Sequence, residues 1–410
     1  MIPILVLLVV FVLIAVRQVG HVKFKIWPIM LLGALAVLLT GQISFTNALM
    51  AVNIDVMLFL FGMFVVGHAL EESGYLSHLS YKIFKRAKSA DSIILLILFG
   101  AGIASAFLMN DTLAVIGTPV MLLLAKKHKF DSKVLLLTLA FAVTIGSVMS
   151  PIGNPQNLLV AVGSGISNPF VTFFKFLLLP TLVNLLLAYL LIKLFYREQF
   201  SKGFLNHSYE PVKDYKLAIL SKVSLILVIV LVFVKILAVF LGIDFRLTYI
   251  ALISAVPVLL FSPRRLEVVK EIDWGTLVFF AAMFVLMQSV WDSGFFQSVL
   301  EKTHADISSV PMIFVVSIVL SQLISNVPLV ALYLPMLVHV GASAKGFIAL
   351  AAGSTIAGNL SVLGAASNVI IIQNAEKKSG KSFTFLDFVK VGVPLTVVNF
   401  LVYFVFLSLF

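Results

Sequence analysis

"TIGSVMSPIGNPQNLLV", residues 144–160, interrupts a stretch that otherwise reads as a membrane helix, between "VLLLTLAFAV" (134–143) and "LLVAVG" (158–163). It gathers Ser147, Ser150, Pro151, Gly153, Asn154, Pro155, Gln156 and Asn157 in one place. As a single helix, 134–161 would be about 42 Å long, more than a hydrocarbon core of about 30 Å, so there is room for a break. Proline removes an amide proton and clashes with the preceding turn, while Gly153 opens conformations closed to other residues. Backbone groups freed at that depth are tolerated only where protein or a water-filled cavity satisfies them. Ser150, Asn154, Gln156 and Asn157 bring neutral donors and acceptors to the same point. The alternative is a proline-kinked helix whose small residues serve packing.

The whole chain supports a membrane setting. Its 410 residues are 61% hydrophobic and 11% charged, with a mean hydropathy of +1.13. Repeated apolar runs of this kind belong to polytopic membrane proteins. "MIPILVLLVVFVLIAV" has no basic leader and no A-x-A site, so it reads as a retained first span and not a signal peptide. The formal charge of +11 is read as basic loops that orient the chain in the bilayer, with no nucleic-acid partner implied. Cysteine is absent from the sequence, which excludes disulfides, thiolate metal sites and capture of soft metalloids by thiols.

Membrane segments are expected near 2–16, 24–40, 55–70, 134–161 and 173–195, then 218–241, 247–261, 274–291, 346–373 and 391–409. Two further apolar stretches, 92–124 and 309–339, are read as re-entrant hairpins that return to the side they left. The basic residues then sort. All of the 29 Lys and Arg fall on one side except Lys175, Arg246, Lys302 and Lys345 opposite, and Lys235 inside a span. The positive-inside rule makes that side cytoplasmic and both termini external, in the inner or plasma membrane. Lys235 lies near a span end and is expected to snorkel.

A duplication is visible. "SAFLMNDTLAVIGTP" (105–119) aligns without gaps with "SQLISNVPLVALYLP" (321–335). "TIGSVMSPIGNPQNLLV" aligns with "TIAGNLSVLGAASNVII" (355–371), and "MFVVGHALEESG" (63–74) with "MFVLMQSVWDSG" (283–294). Three pairs in the same order indicate an internal repeat. With five crossings in each half, the second copy must enter the membrane inverted, a plan common in secondary transporters. The expected fold class is therefore an all-α polytopic membrane protein of two inverted repeats of about five transmembrane helices. Each repeat holds a re-entrant hairpin and a discontinuous helix. The repeats run over 1–196 and 217–410, joined by a cytoplasmic linker, 197–216. "YLSHLSYKIFKRAKS" (75–89) and "FFQSVLEKTHADISS" (295–309) are expected to lie in the two interfaces.

Candidate binding residues follow from this plan. The first tip offers Asn110, Asp111 and Thr112, and the first break offers Ser150, Gly153, Asn154 and Asn157. The second tip offers Ser325 and Asn326, and the second break Gly358, Asn359, Ser361, Gly364, Ser367 and Asn368. Helix N-termini at such tips favour anions, and exposed carbonyls suit sodium, a hard cation. A sodium ion is expected near Asn110, Asp111, Asn154, Asn326 and Asn359. Asp111 is the one carboxylate expected at mid-membrane, where insertion costs about 2.5–3.5 kcal/mol, and it is read as a sodium ligand or proton-exchanging group. The second tip has Val327 in its place. Other carboxylates sit at span ends. Scattered histidines without H-E-x-x-H spacing, and the lack of a Walker A motif, speak against a metalloenzyme or an ATP-driven pump.

The tip and break motifs resemble those of the ion transporter superfamily, and most closely its arsenite-permease/NhaD-type, citrate-transporter-like branch. That resemblance implies two inverted five-helix repeats, elevator-type movement and often a homodimer. The dicarboxylate carriers of the superfamily have Ser-Asn-Thr at both tips, whereas this chain has Asn-Asp-Thr and Ser-Asn-Val. The expected activity is secondary transport of a small anion or oxyanion, arsenite- or carboxylate-like, coupled to a Na+ or H+ gradient, with no other cofactor. The rivals are a Na+/H+ antiporter that uses Asp111 and a passive ion channel.

Overall fold

The computed structural model describes residues 2–409 apart from 16–17, 20–21, 24–25, 76–77, 79–83, 85–86, 88, 129, 201–211, 244, 296–297, 299–305 and 380–381. Among the described residues everything regular is helical except one short antiparallel pair, Gln18–Val19 with Val22–Lys23. The helices are α1 (Ile2–Ala15), α2 (Ile26–Leu39), α3 (Phe45–Ala51), α4 (Ile54–Glu72) and α5 (Ala90–Leu108). Then come α6 (Asn110–His128), α7 (Ser132–Ser147), α8 (Pro155–Gly163), α9 (Pro169–Phe195) and the short α10 (Arg197–Phe200). The order starts again with α11 (Tyr215–Phe240), α12 (Leu247–Phe261), α13 (Arg265–Glu271), α14 (Trp274–Asp292) and α15 (Val310–Ile324). It closes with α16 (Asn326–His339), α17 (Ala344–Ile356), α18 (Ala366–Ser379) and α19 (Phe385–Leu409). Each helix from α1 to α9 thus has a counterpart ten places later.

Six of these helices are long and apolar enough to cross a membrane. Their outward faces carry large bare hydrophobic side chains, such as Leu178, Leu179 and Leu186 on α9 and Ile219, Ile226 and Phe233 on α11. In water such surface is costly; against lipid it is the solvent-matched face. The protein is an integral membrane protein. The interfacial segments expected at 75–89 and 295–309, and the middle of the 197–216 linker, fall mostly outside the described residues. The helices α3 and α13 have no antecedent in the expected spans. Each is too short to cross, and each ends just before an N-cap, Asn53 on α4 and Asp273 on α14.

Residues 90–128 fold back on themselves. α5 ends at Met109, whose φ of 66° reverses the chain, and α6 begins at the next residue. The start of the pair meets the C-terminal end of α9, where Lys193 Nζ donates to Asp91 Oδ1 at 2.6 Å. Past the end of the pair the amide of Asp131, the N-cap of α7, donates to Gln199 Oε1 on α10 at 3.1 Å. α15 and α16 are joined the same way at Ser325, with φ 69°. Positive φ in a residue other than glycine is costly, and these are the two such positions among the described residues.

Counterparts exchange partners. α4 packs on α12 as α2 packs on α14, and α6 packs on α18 as α8 packs on α16. The long helices α9 and α19 pack on each other. Polar ties join residues far apart along the chain. Asp55 meets Thr248 and Arg246, Glu72 meets Arg264, and Lys133 meets Asp387. Lys235 differs from its expected snorkelling: it is buried, on the α11 helix that packs against α4, α9 and α12.

Candidate functional site

α7 stops at Ser147 because the next residues cannot continue it. Pro151 has no amide proton, and a methyl group added at Gly153 would stand 2.3 Å from the Ser147 carbonyl. The orphaned carbonyls of α7 are taken up by one side chain. The Asn157 NH2 donates to Ser147 O (3.1 Å), Val148 O (3.2 Å) and Ser150 O (2.9 Å). Asn154 caps α8, its Oδ1 accepting the Asn157 amide at 2.8 Å, with Pro155 at the first helical position. The Ser150 hydroxyl accepts from Ile152 N at 3.3 Å.

The same staple recurs 211 residues later. The Asn368 NH2 donates to Gly358 O (2.7 Å) and Ser361 O (3.4 Å), the positions that match Ser147 and Ser150. Glycine alone suffices for this second break, where Ser361 is extended between two short 3-10 turns and Ala365 is extended between the second turn and α18. A methyl group at Gly364 would lie 2.6 Å from Ala357 O. Ser361 donates to Gln322 Oε1 at 2.8 Å, and Gln322 donates to Ala357 O at 2.8 Å, tying α15 to the break.

Each tip meets the break of its own half. The Asn110 amide donates to Gly153 O at 2.9 Å, and Asn326 Nδ2 stands 3.7 Å from where a Gly358 side chain would begin. The two breaks also meet each other. Thr355 Oγ1 accepts from Asn154 Nδ2 (3.2 Å) and Gln156 Nε2 (3.4 Å) and donates to Asn157 Oδ1 (3.1 Å), while Thr144 packs against Gly358. Thr112 stands apart, against Gly67 on α4, and Ser325 serves as the hinge of its tip.

The halves differ in what they leave unpaired. In the first break Asn154 and Asn157 have both side-chain atoms bonded within the protein. Around the second, the oxygens of Asn326 (Oδ1), Asn359 (Oδ1), Asn368 (Oδ1) and Ser367 (Oγ) are buried without a protein partner, as is Thr144 Oγ1. At the first tip Asp111 Oδ1 is in the same condition. Buried polar atoms are nearly always satisfied, so a cluster of unsatisfied oxygens marks a place for water or a ligand. Among the described residues the buried polar side chains at both breaks are neutral, and the one buried charged residue, Lys235, lies away from them on α11.

Two residues escaped the sequence reading. Asn359 Nδ2 donates to Asn399 Oδ1 at 3.0 Å, and Asn399 Nδ2 donates to Asn184 Oδ1 at 2.9 Å. Asn184 and Asn399 sit in "TLVN" (181–184) and "TVVN" (396–399), a further repeat pair that was the available signal.

A family model described as citrate transporter (CitMHS) matches residues 8–349. The chain belongs to the citrate transporter family. Its relatives include the silicon efflux transporter LSI3 of Oryza sativa subsp. japonica, 25% identical over 435 residues that cover 90% of this chain and 89% of that one. An uncharacterized transporter of Mycobacterium tuberculosis is 26% identical over 376 residues, covering 87% and 86%. The YdaH transporter of Alcanivorax borkumensis has a similar fold, with a TM-score of 0.58, 15% identity and coverage of 89% and 87%. Membership makes this chain a membrane transporter, not an enzyme, and the resemblance read from its tip and break motifs holds at the level of the superfamily.

Proposed function

We propose that the chain is a sodium-coupled secondary transporter for a small oxyanion or oxyacid, carboxylate- or arsenite-like. The observation that carries this is the set of unpaired buried oxygens at the second break, Asn326, Asn359, Asn368 and Ser367, with Thr144 beside them. Sodium is a hard cation, and neutral oxygens of this kind are its ordinary ligands. The passenger is held by neutral groups and by the N-termini of α6, α8 and α16, whose amides and dipoles favour oxygen-bearing anions. A family named for citrate and a relative named for silicon efflux agree with a small oxygen-rich passenger. Asn154, Asn157 and Asn368 hold the breaks open in shape, and Gly153, Gly358 and Gly364 give the backbone room.

In this reading the repeats over 1–196 and 217–410 are inverted, linked through 197–216, and both hairpins are re-entrant. The basic loops face the cytoplasm, both termini lie outside the cell membrane, and the hairpins and broken helices move together as an elevator within a homodimer. The exchanged packing and the charge sorting support it. Asp111 takes part in the cation coupling of this reading, and because its Oδ1 is buried and unpaired at the first tip it also favours a second reading, sodium/proton exchange. Reconstituted vesicles decide. An inward sodium gradient is expected to drive concentrative uptake of radiolabelled citrate or arsenite, saturably. Sodium flux driven by a pH gradient with no anion present would replace this reading with the exchanger. Flux without saturation or accumulation would leave a channel.

A further inference from the structure

The amide ladder Asn184–Asn399–Asn359 is buried throughout, and each of its residues is fully enclosed. It runs from α9 through α19 to the second break. Gly392, two turns before Asn399 on α19, lets the break lie against the helix: a methyl group there would stand 2.2 Å from Asn359 O. Tyr403, one turn after Asn399, is bonded to Thr181 on α9 at 2.7 Å, so the two helices are also pinned beside the ladder. Every rung points the same way. Asn184 presents oxygen to Asn399, Asn399 presents oxygen to Asn359, and the buried groups left without a partner at the two ends are the Asn184 NH2 on α9 and the Asn359 oxygen at the break. Run in reverse, the ladder would make the same number of bonds but leave the Asn359 NH2 facing the break, where it would repel a cation.

We propose that Asn399 and Asn184 are positioning residues for the coupling ion: they hold the Asn359 amide with its oxygen toward the second break. This rests on the sodium reading above. Neither residue touches the ion; each acts on it only through the direction of the next amide. The inference is particular to the second half, because the position matching Asn359 in the first copy is Val148. Acceptor-only replacements should therefore preserve the ladder's direction, whereas apolar ones should release it.

Binding of 22Na+ to the purified full chain in detergent tests this without knowledge of the passenger. Asn184→Leu and Asn399→Leu are expected to weaken sodium binding about tenfold or more. Asn184→Asp, which can only accept from Asn399 when ionised, is expected to keep wild-type affinity or tighten it, a rescue that a merely structural role would not produce. Wild-type affinity in both folded leucine variants would overturn the proposal. If the leucine variants do not fold, Asn399→Asp decides. Sodium binding retained in that variant supports the ladder, and its loss from a folded protein overturns it. Absence of sodium binding by the wild-type chain would instead remove the sodium reading itself, so the two failures are told apart.

Discussion

The hydroxyl of Thr355 donates to Asn157 Oδ1 at 3.1 Å, joining the end of one interrupted helix to the start of another segment 198 residues away. The same hydroxyl oxygen accepts from Asn154 and Gln156. One side chain thus closes the seam between the two breaks. Thr144, the residue at its matching position, leaves its hydroxyl unpaired. The seam is one-sided, and that is what makes it testable.

Replacing Thr355 by valine keeps the shape and removes all three bonds, leaving the buried Gln156 Nε2 and Asn157 Oδ1 without the partner they have there, while Asn154 Nδ2 keeps Ser147. Stability is expected to fall by about 1–3 kcal/mol, with transport falling further than stability. Thr355→Ser should restore both. Thermal unfolding of the purified protein and vesicle uptake measure the two effects. A valine variant with unchanged melting would remove the seam from the fold's supports.

Gly153 has no room for a methyl group, since it would meet the Ser147 carbonyl at 2.3 Å. Gly153→Ala is expected to cost about 1–3 kcal/mol through overpacking and to abolish uptake by shifting the break. Gly100 has open space around it, so Gly100→Ala should behave as wild type. Size-exclusion profiles and uptake of the two variants should diverge; equal behaviour would mean the break tolerates movement.

Asp111→Asn preserves the volume and removes the charge at the first tip. Coupled transport is expected to be lost while the protein folds normally. Gradient-driven uptake in vesicles, measured beside the chromatographic profile, checks this. Coupling at the wild-type level would take Asp111 out of the mechanism.

The native chain has no cysteine, so single cysteines report topology without further engineering. Ser89→Cys and Lys126→Cys flank the first hairpin and are both expected to react only from the cytoplasmic side. Asp306→Cys, at an exposed position before α15, should react from outside. Labelling of positions 89 and 126 from opposite faces would turn the hairpin into a single crossing.

The spans, the tips and the breaks were legible in the sequence because membrane burial leaves coarse marks. An apolar run long enough to cross is visible by composition. A break needs proline or glycine, so Pro151, Gly153 and Gly364 announce theirs. The turn at Met109 was placed by "MNDT" between its basic flanks, and Asn326 followed from the repeat. The short helices α3 and α13 were missed because seven residues between spans carry too little periodicity to be read.

Sequence alone determined that this chain is membrane-embedded and carries two interrupted helices with repeated motifs, since hydropathy, helix breakers and repeated motifs are local properties. Only the tertiary structure decided which amides are occupied and which are left open. Asn157 and Asn359 look alike in sequence, yet the first is consumed by the end of its own helix and by Thr355, and the second is turned by Asn399 so that an oxygen remains bare. A hydrogen bond depends on which partner arrives from a distant segment, and that choice is made by packing, not by neighbours along the chain.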